Sequence, residues 1–337
     1  MEQHKHTMVI TDCDHGSIEE EKEEAGRIGA ELRLEQVKGE EDLIRVCKEA
    51  DGLINQYALL TRRVLEHLPN CKVVSRYGVG VDSVDLKAAT DLGIIVANVP
   101  DYCMDEVSNQ TLSMILALIR KTAFFDQKVK SGQWDFHSGI PIYRTKGKIL
   151  GLIGSGKIGL EVAKKISGFG VKVTAFDPYL EKAPEGIELT DFDTVLKESD
   201  FISIHCPLND STHHLIGERE FRKMGKKPVI INTSRGPIID EKALIGALAE
   251  GRISGAGLDV LEKEPPDPQN PLLKMENVIL SPHVSFYSVE SISELKRRTA
   301  KNVADVLSGK WPGSVVNREV IGRTRATLSR PFLSQPS

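Results

Sequence analysis

The chain has 337 residues, 40% of them hydrophobic and 27% charged, and 44 Lys and Arg against 48 Asp and Glu leave a formal net charge of −4. That length predicts two globular domains, and the near-balance of charge offers no strongly basic face to a nucleic acid. No apolar run reaches the roughly 18 residues of a membrane span, and residues 1–7 are polar, unlike the charged-then-apolar plan of a signal peptide. Five cysteines (Cys13, Cys47, Cys71, Cys103 and Cys206) are scattered without a CxxC pair, which fits reduced thiols in a cytoplasm better than a disulfide framework.

Short β-branched runs alternate with helical patterns along the chain. Met8-Val9-Ile10 predicts a first strand and residues 17–27 a helix, in which Glu19-Glu20-Glu21-Lys22-Glu23-Glu24 reads as a solvated face rather than an acidic binding site. Further strands are expected at Leu32-Arg33-Leu34, Gly52-Leu53-Ile54 and Val73-Val74-Ser75, with helical or turn-rich segments at 43–48 and 64–68. Residues 85–92 followed by Gly93 carry the pattern of a helix closed by a glycine. After a break at Asn98-Val99-Pro100-Asp101, a long helix over 104–121 sets Leu112, Ile115, Leu116 and Ile119 at helical spacing. Strands recur at 148–153, 171–176, 201–205, 229–232, 256–258 and 278–280, and a final helix over 288–308 ends at Gly309. Strands separated by helices predict parallel βαβ units, because parallel neighbours need a crossover. The tail from Arg318 lacks periodicity and is expected either to be mobile or to dock on a neighbour.

The apolar run Ile149-Leu150-Gly151-Leu152-Ile153 leads directly into Gly154-Ser155-Gly156-Lys157-Ile158-Gly159. Three glycines have three tasks here: Gly154 allows the tight turn, Gly156 lets backbone approach a pyrophosphate, and Gly159 lets helix pack on strand. The helix that follows offers unsatisfied N–H groups and a positive dipole end to phosphate. The next predicted strand ends in Asp177, where a carboxylate can accept from both ribose hydroxyls. Asp177 would repel a 2′-phosphate and no Arg follows it before Pro178, so NAD is favoured over NADP.

Three later stretches place polar groups just after predicted strands: Asn232-Thr233-Ser234-Arg235-Gly236, Gly257-Leu258-Asp259 with Glu264 beyond it, and Ser281-Pro282-His283. Ligands of open α/β sheets sit beyond the carboxyl ends of strands, so the three can converge on one cleft.

These stretches, together with Arg76-Tyr77-Gly78-Val79-Gly80-Val81-Asp82 and His205-Cys206-Pro207-Leu208, give a chain that resembles the D-isomer-specific 2-hydroxyacid dehydrogenases. The group also holds phosphoglycerate dehydrogenases and the C-terminal-binding-protein corepressors. The resemblance implies two doubly wound parallel-sheet domains. A Rossmann NAD domain (100–286) is inserted into a flavodoxin-like substrate domain (1–99 and 287–337), with hinges near 98–101 and Tyr287 and catalysis in the cleft between them. By the same resemblance Arg235 binds the substrate carboxylate and polarises the keto oxygen, and His283 is the general acid. Glu264 is the carboxylate whose charge favours imidazolium. Backbone N–H groups of Val79 and Gly80, with Arg76 beside them, grip the substrate. Lys157 and Ile158 meet the pyrophosphate through backbone, Cys206 lies by the adenosine half and Asp259 by the nicotinamide amide. The cofactor set extends to Val79, His205, Thr233, Ser234, Arg235, His283 and Phe286.

The sequence departs from the group in two places. Val284-Ser285-Phe286-Tyr287-Ser288 follows His283 where many relatives carry small residues; it reads either as a narrowed pocket beside the nicotinamide or as a hinge aromatic. Asn55-Gln56-Tyr57 stands where phosphoglycerate enzymes usually place an arginine, which disfavours a phosphorylated substrate. The expectation is therefore an NAD-dependent enzyme interconverting a small unphosphorylated D-2-hydroxy acid and its 2-oxo acid, such as glyoxylate or hydroxypyruvate. The alternatives are an NADH-sensing corepressor-like scaffold and a phosphoglycerate dehydrogenase. A metal site is not expected: no Cys or carboxylate completes a ligand set with His4 and His6 at usual spacing, and His213-His214, read as strand neighbours, would point to opposite faces. Trp134 and Phe136 face either a partner subunit, since the family commonly dimerises in this region, or a domain-edge core. A homodimer is expected on that resemblance.

Overall fold

The computed structural model describes residues 5–329; His4 and the end of the tail lie outside the described residues. The N-terminal stretch alternates β1 (Thr7–Ile10), α1 (Glu19–Arg27), β2 (Glu31–Leu34), α2 (Glu40–Cys47), β3 (Gly52–Asn55), α3 (Arg62–Glu66), β4 (Val73–Arg76), α4 (Leu86–Asp91) and β5 (Ile95–Ala97). The middle opens with α5 (Met104–Arg120) and α6 (Thr122–Lys130), then β6 (Ile149–Ile153), α7 (Lys157–Ser167), β7 (Lys172–Phe176), β8 (Ile187–Leu189) and α8 (Phe192–Glu198). It continues through β9 (Phe201–Ile204), α9 (Glu218–Lys223), β10 (Val229–Asn232), α10 (Glu241–Ala249), β11 (Gly255–Leu258) and β12 (Val278–Leu280), and the chain closes with α11 (Val289–Leu307). These elements form two compact units, one of residues 1–102 with 288–337 and one of residues 103–287.

The first unit holds a five-stranded sheet in the order β2-β1-β3-β4-β5, every pair parallel. This is the flavodoxin-like order, whose switch point lies between β1 and β3. Apart from the exposed edge strand β2, its strands are largely apolar on both faces, as parallel strands covered by helices are: Val9, Leu53, Val74 and Val96 pack with Leu43, Leu65 and Ile94 on one side. On the other side α11 packs against α1, β3 and β4. Gly52 has to be small here, since a Cβ would lie 2.5 Å from Val303 Cγ1.

The second unit holds a seven-stranded sheet in the order β12-β11-β10-β9-β6-β7-β8, parallel throughout. The chain leaves β6 toward β7 and β8 and then returns to β9 on the other flank, so the switch point lies between β6 and β9. Hydrophobic layers cover both faces, one around Ile153, Ile204, Ile230 and Leu258 and one around Ile115, Leu150, Val162 and Ile231.

Several local expectations need correction. The acidic run is not uniformly solvated: Glu21 is fully buried, and Glu24 and Ala25 are buried beside it. Those positions are i, i+3 and i+4, the inward stripe of a helix written almost wholly in charged residues. The long helix runs over Met104–Arg120, within one residue of its expected span; Lys121 then adopts a left-handed φ of 54°, and the unanticipated α6 continues with no buried residue. Strands β5 and β8 were not anticipated. The tail's described part docks on its own unit, with Arg325 N donating to Gly93 O at 2.8 Å and Ser329 N to Gly309 O at 2.8 Å. No helix among the described residues is long and apolar enough to cross a membrane.

Candidate active site

Strand β6 ends at Gly154, which needs a positive φ (+91°) to turn toward α7 and sits so tightly that a Cβ would lie 2.8 Å from Cys206 N. Gly159 is equally constrained, its Cβ position lying 2.7 Å from Gly154 O, whereas Gly156, the N-cap of α7, would meet nothing within 4 Å. Two glycines are thus required by the protein's own packing, and the third faces open space, as a cradle for a phosphate group demands. Lys157 and Ile158 form the first turn of α7, whose N–H groups have no partner inside the helix.

Asp177 follows β7, and its carboxylate accepts from the cradle's own Ser155 N at 2.8 Å and from Tyr179 N at 3.0 Å. From β9, Cys206 has its thiol pushed up to about 11 by burial, with the charge of Asp177 adding to the shift; it is a protonated side chain rather than a nucleophile. His205 is pushed down to about 4 by burial and pairs with Ser203 Oγ at 2.8 Å, which leaves a neutral ring beneath the cradle. Ser234 Oγ donates to Cys206 O at 2.7 Å and ties the ends of β9 and β10 together. Thr233 Oγ1 lies 3.1 Å from Thr111 Oγ1 of α5.

Arg235, Asp259 and His283 follow β10, β11 and β12, three neighbouring strands in register at Asn232, Leu258 and Leu280. His283 Nδ1 lies 2.8 Å from Glu264 Oε2, and Leu261 N donates to Glu264 Oε1 at 3.0 Å. A carboxylate only accepts, so Nδ1 carries the proton of this bond and Nε2 is the ring's outward nitrogen. Burial pushes the Glu264 carboxyl up, but the His283 bond and charge, the Leu261 N–H and the Arg235 charge together hold it below the usual carboxylate range. Arg235 is steadied by donating from Nη1 to Ser234 O at 2.7 Å. Phe286 stands edge-on to His283 with ring centroids 6.4 Å apart.

His283 has a left-handed φ of 51°, a costly conformation for a side-chain-bearing residue. Asp259 sustains it. The Asp259 main-chain oxygen accepts from His283 N at 2.8 Å, and its carboxylate, only 2% exposed, takes Ser281 Oγ, Val284 N and Ser285 N. Asp259 therefore brackets the loop that carries His283. Ser281 and the buried Asn232, which bonds Ser234 N and Arg235 O, are supports whose roles the sequence reading missed; their signal was only their place beside Arg235 and His283.

In the first unit, Gly78 combines a φ of +123° with a Cβ position 2.1 Å from Arg76 Nη1, so the Arg76 guanidinium folds across its own loop. Asn98 Nδ2 holds Val79 O at 2.6 Å and Val99 N holds Gly78 O at 3.1 Å. The N–H groups of Val79 and Gly80 donate to no acceptor among the described residues. At the switch point of this sheet, the buried Asp12 carboxylate gathers the N–H groups of Gln56, Tyr57 and Ala58.

Other candidates resolve differently. Trp134 is 90% exposed and Phe136 67% exposed, so they form no domain-edge core in this chain. His213 and His214 sit in a turn rather than a strand, with their rings stacked 4.1 Å apart. Among the described residues no group of His, Cys, Asp and Glu is placed to hold a metal ion.

A parallel sheet with a glycine cradle at its switch point and an acid at the end of the next strand defines a dinucleotide-binding domain. Residues 112–285 match the model of the D-isomer specific 2-hydroxyacid dehydrogenase NAD-binding domain. The chain is 41% identical over 293 residues to a glyoxylate reductase of Thermofilum pendens, covering 83% of this chain and 85% of that one. Among solved structures it is similar to a D-lactate dehydrogenase of Aquifex aeolicus complexed with NAD and lactic acid (TM-score 0.82, 29% identity, 90% of this chain and 96% of that one). It is also similar to an acyclic imino acid reductase in complex with NADPH and D-Arg (TM-score 0.85, 27% identity, 92% and 99% covered). The chain belongs to the D-isomer specific 2-hydroxyacid dehydrogenase family, and it is an NAD(P)-dependent oxidoreductase acting on the CH–OH group of 2-hydroxy acids.

Proposed function

We propose that the protein reduces a small unphosphorylated 2-oxo acid, such as glyoxylate or hydroxypyruvate, to its D-2-hydroxy acid, with Arg235, Glu264 and His283 as the reacting machinery. The bond between His283 and Glu264 carries this reading. When bound, NADH supplies the hydride for the carbonyl carbon. Arg235 holds the substrate carboxylate and polarises its keto oxygen, and His283 delivers the proton to that oxygen from Nε2. Glu264 stays ionised and favours the imidazolium form that gives the proton. The first turn of α7 and the Gly156 space suit the pyrophosphate, with Thr233, Ser234, His205, Cys206 and Phe286 along the cofactor.

NAD rather than NADP fits Asp177, whose fixed carboxylate repels a 2′-phosphate. The 103–287 unit is the cofactor domain in this reading and the other unit the substrate domain, with the N–H groups of Val79 and Gly80 and the Arg76 charge meeting the substrate carboxylate. The absence of a cation at Asn55-Gln56-Tyr57 argues against a phosphorylated acid. Exposed Trp134 and Phe136 favour a homodimer built over that face. The test is NADH and NADPH oxidation across glyoxylate, hydroxypyruvate, longer 2-oxo acids and 3-phosphohydroxypyruvate. Highest kcat/KM with NADH and a small unphosphorylated acid supports the proposal, and preference for the phosphorylated acid overturns it.

A further inference from the structure

One buried carboxylate has no part in the chemistry above. Glu21 of α1 is fully buried, and its Oε1 accepts from the Tyr77 hydroxyl at 2.6 Å. Its Oε2 lies 3.8 Å from Nζ of Lys296, on α11, a side chain only 4% exposed that also donates to Glu20 Oε2 at 2.6 Å. Tyr77 is itself buried, its ring lies edge-on to His15 with centroids 5.3 Å apart, and its N–H donates to Asn55 O at 2.8 Å.

An apolar pair would hold α1 against α11 without the desolvation cost of a carboxylate and an ammonium. What the charged arrangement adds is direction: a short bond at a defined angle on the one residue immediately before Gly78-Val79-Gly80. We infer that Glu21 is a positioning residue for substrate binding, acting through Tyr77 to fix the backbone donors of Val79 and Gly80 for the carboxylate of the 2-oxo acid. The inference rests on the proposed role of those donors. Burial pushes the Glu21 carboxyl up, and the Tyr77 bond and the Lys296 charge pull against that shift; the Arg76 guanidinium folds across Gly78 in the same turn.

The test uses the full-length protein and the variants Tyr77→Phe, Glu21→Leu, Glu21→Gln and the Tyr77→Phe/Glu21→Leu pair. The 2-oxo acid KM is expected to rise about tenfold in Tyr77→Phe and Glu21→Leu, the loss of one buried hydrogen bond. The kcat and the Kd for NADH should stay within about twofold. Glu21→Gln, which keeps an oxygen acceptor, restores most of the KM, and the pair is no worse than either single variant. Hydrogen exchange of the 76–82 backbone should speed up in the two disruptive variants without substrate. Unchanged exchange and unchanged KM overturn the anchor itself. Faster exchange with an unchanged KM overturns instead the assignment of Val79 and Gly80 to the substrate.

Discussion

Nδ1 of His283 and Oε2 of Glu264 meet at 2.8 Å across nineteen residues of sequence. The Glu264 carboxyl is held below its usual range, so it remains ionised through neutral and mildly acidic pH, and its support for imidazolium is lost only as pH falls through that lowered value. Glu264→Gln removes the charge while keeping the shape. Reductive kcat should then fall about tenfold or more, because a neutral amide no longer offsets the charge of the ring that gives the proton. An unchanged kcat in the variant removes Glu264 from that role.

His283→Ala is expected to lower kcat by about 10²–10⁴-fold, the usual contribution of a general acid. NADH affinity, read by fluorescence titration, should change little. Comparable loss in both quantities would mean that His283 holds the cofactor rather than the proton.

The cradle gives a paired prediction. Gly156→Ala places a methyl group in open space, so Tm should stay unchanged while the Kd for NADH rises about tenfold or more, about 1.4 kcal/mol per decade. Gly159→Ala drives a methyl into Gly154 O and should cost about 1–3 kcal/mol of stability by overpacking. Calorimetry and NADH titration of both variants separate the two effects, and a Gly156→Ala protein that binds NADH normally contradicts the cradle.

A stability prediction concerns Asp51, which sits at the foot of the first sheet. Burial raises its carboxyl, but Thr7 N–H, Lys72 and the charge of His6 outweigh that and leave it lowered. A lowered folded value gives stability that is present above the unfolded value of about 3.9 and is lost as pH falls through the folded one. Asp51→Asn should therefore cost about 1–3 kcal/mol in urea unfolding at pH 7, and the gap from the parent protein should narrow below about pH 4. A gap independent of pH would show that the charge is not what matters.

Much of the candidate site was legible because its chemistry is local. The glycine spacing, Asp177 one strand later, and polar groups directly after β10, β11 and β12 are written consecutively in the chain. Strands β5 and β8, three residues each, did not stand out from the neighbouring turns, although the equally short β12 did. Glu21 was hidden for another reason: partners 56 and 275 positions away decide its burial, while its neighbours all carry charge. The bracket that Asp259 places on the His283 loop was equally invisible, because backbone N–H groups have no letter in a sequence.

The long reach of α11 has a consequence for biosynthesis. Lys296 and Glu20 are separated by 276 positions, and α11 covers the sheet that the first hundred residues begin to build. On a ribosome the inserted unit therefore has its whole sequence before the outer one does. The earliest-made strands wait, one face uncovered, until the last helix emerges, so that interval is when nascent-chain chaperones have most to shield.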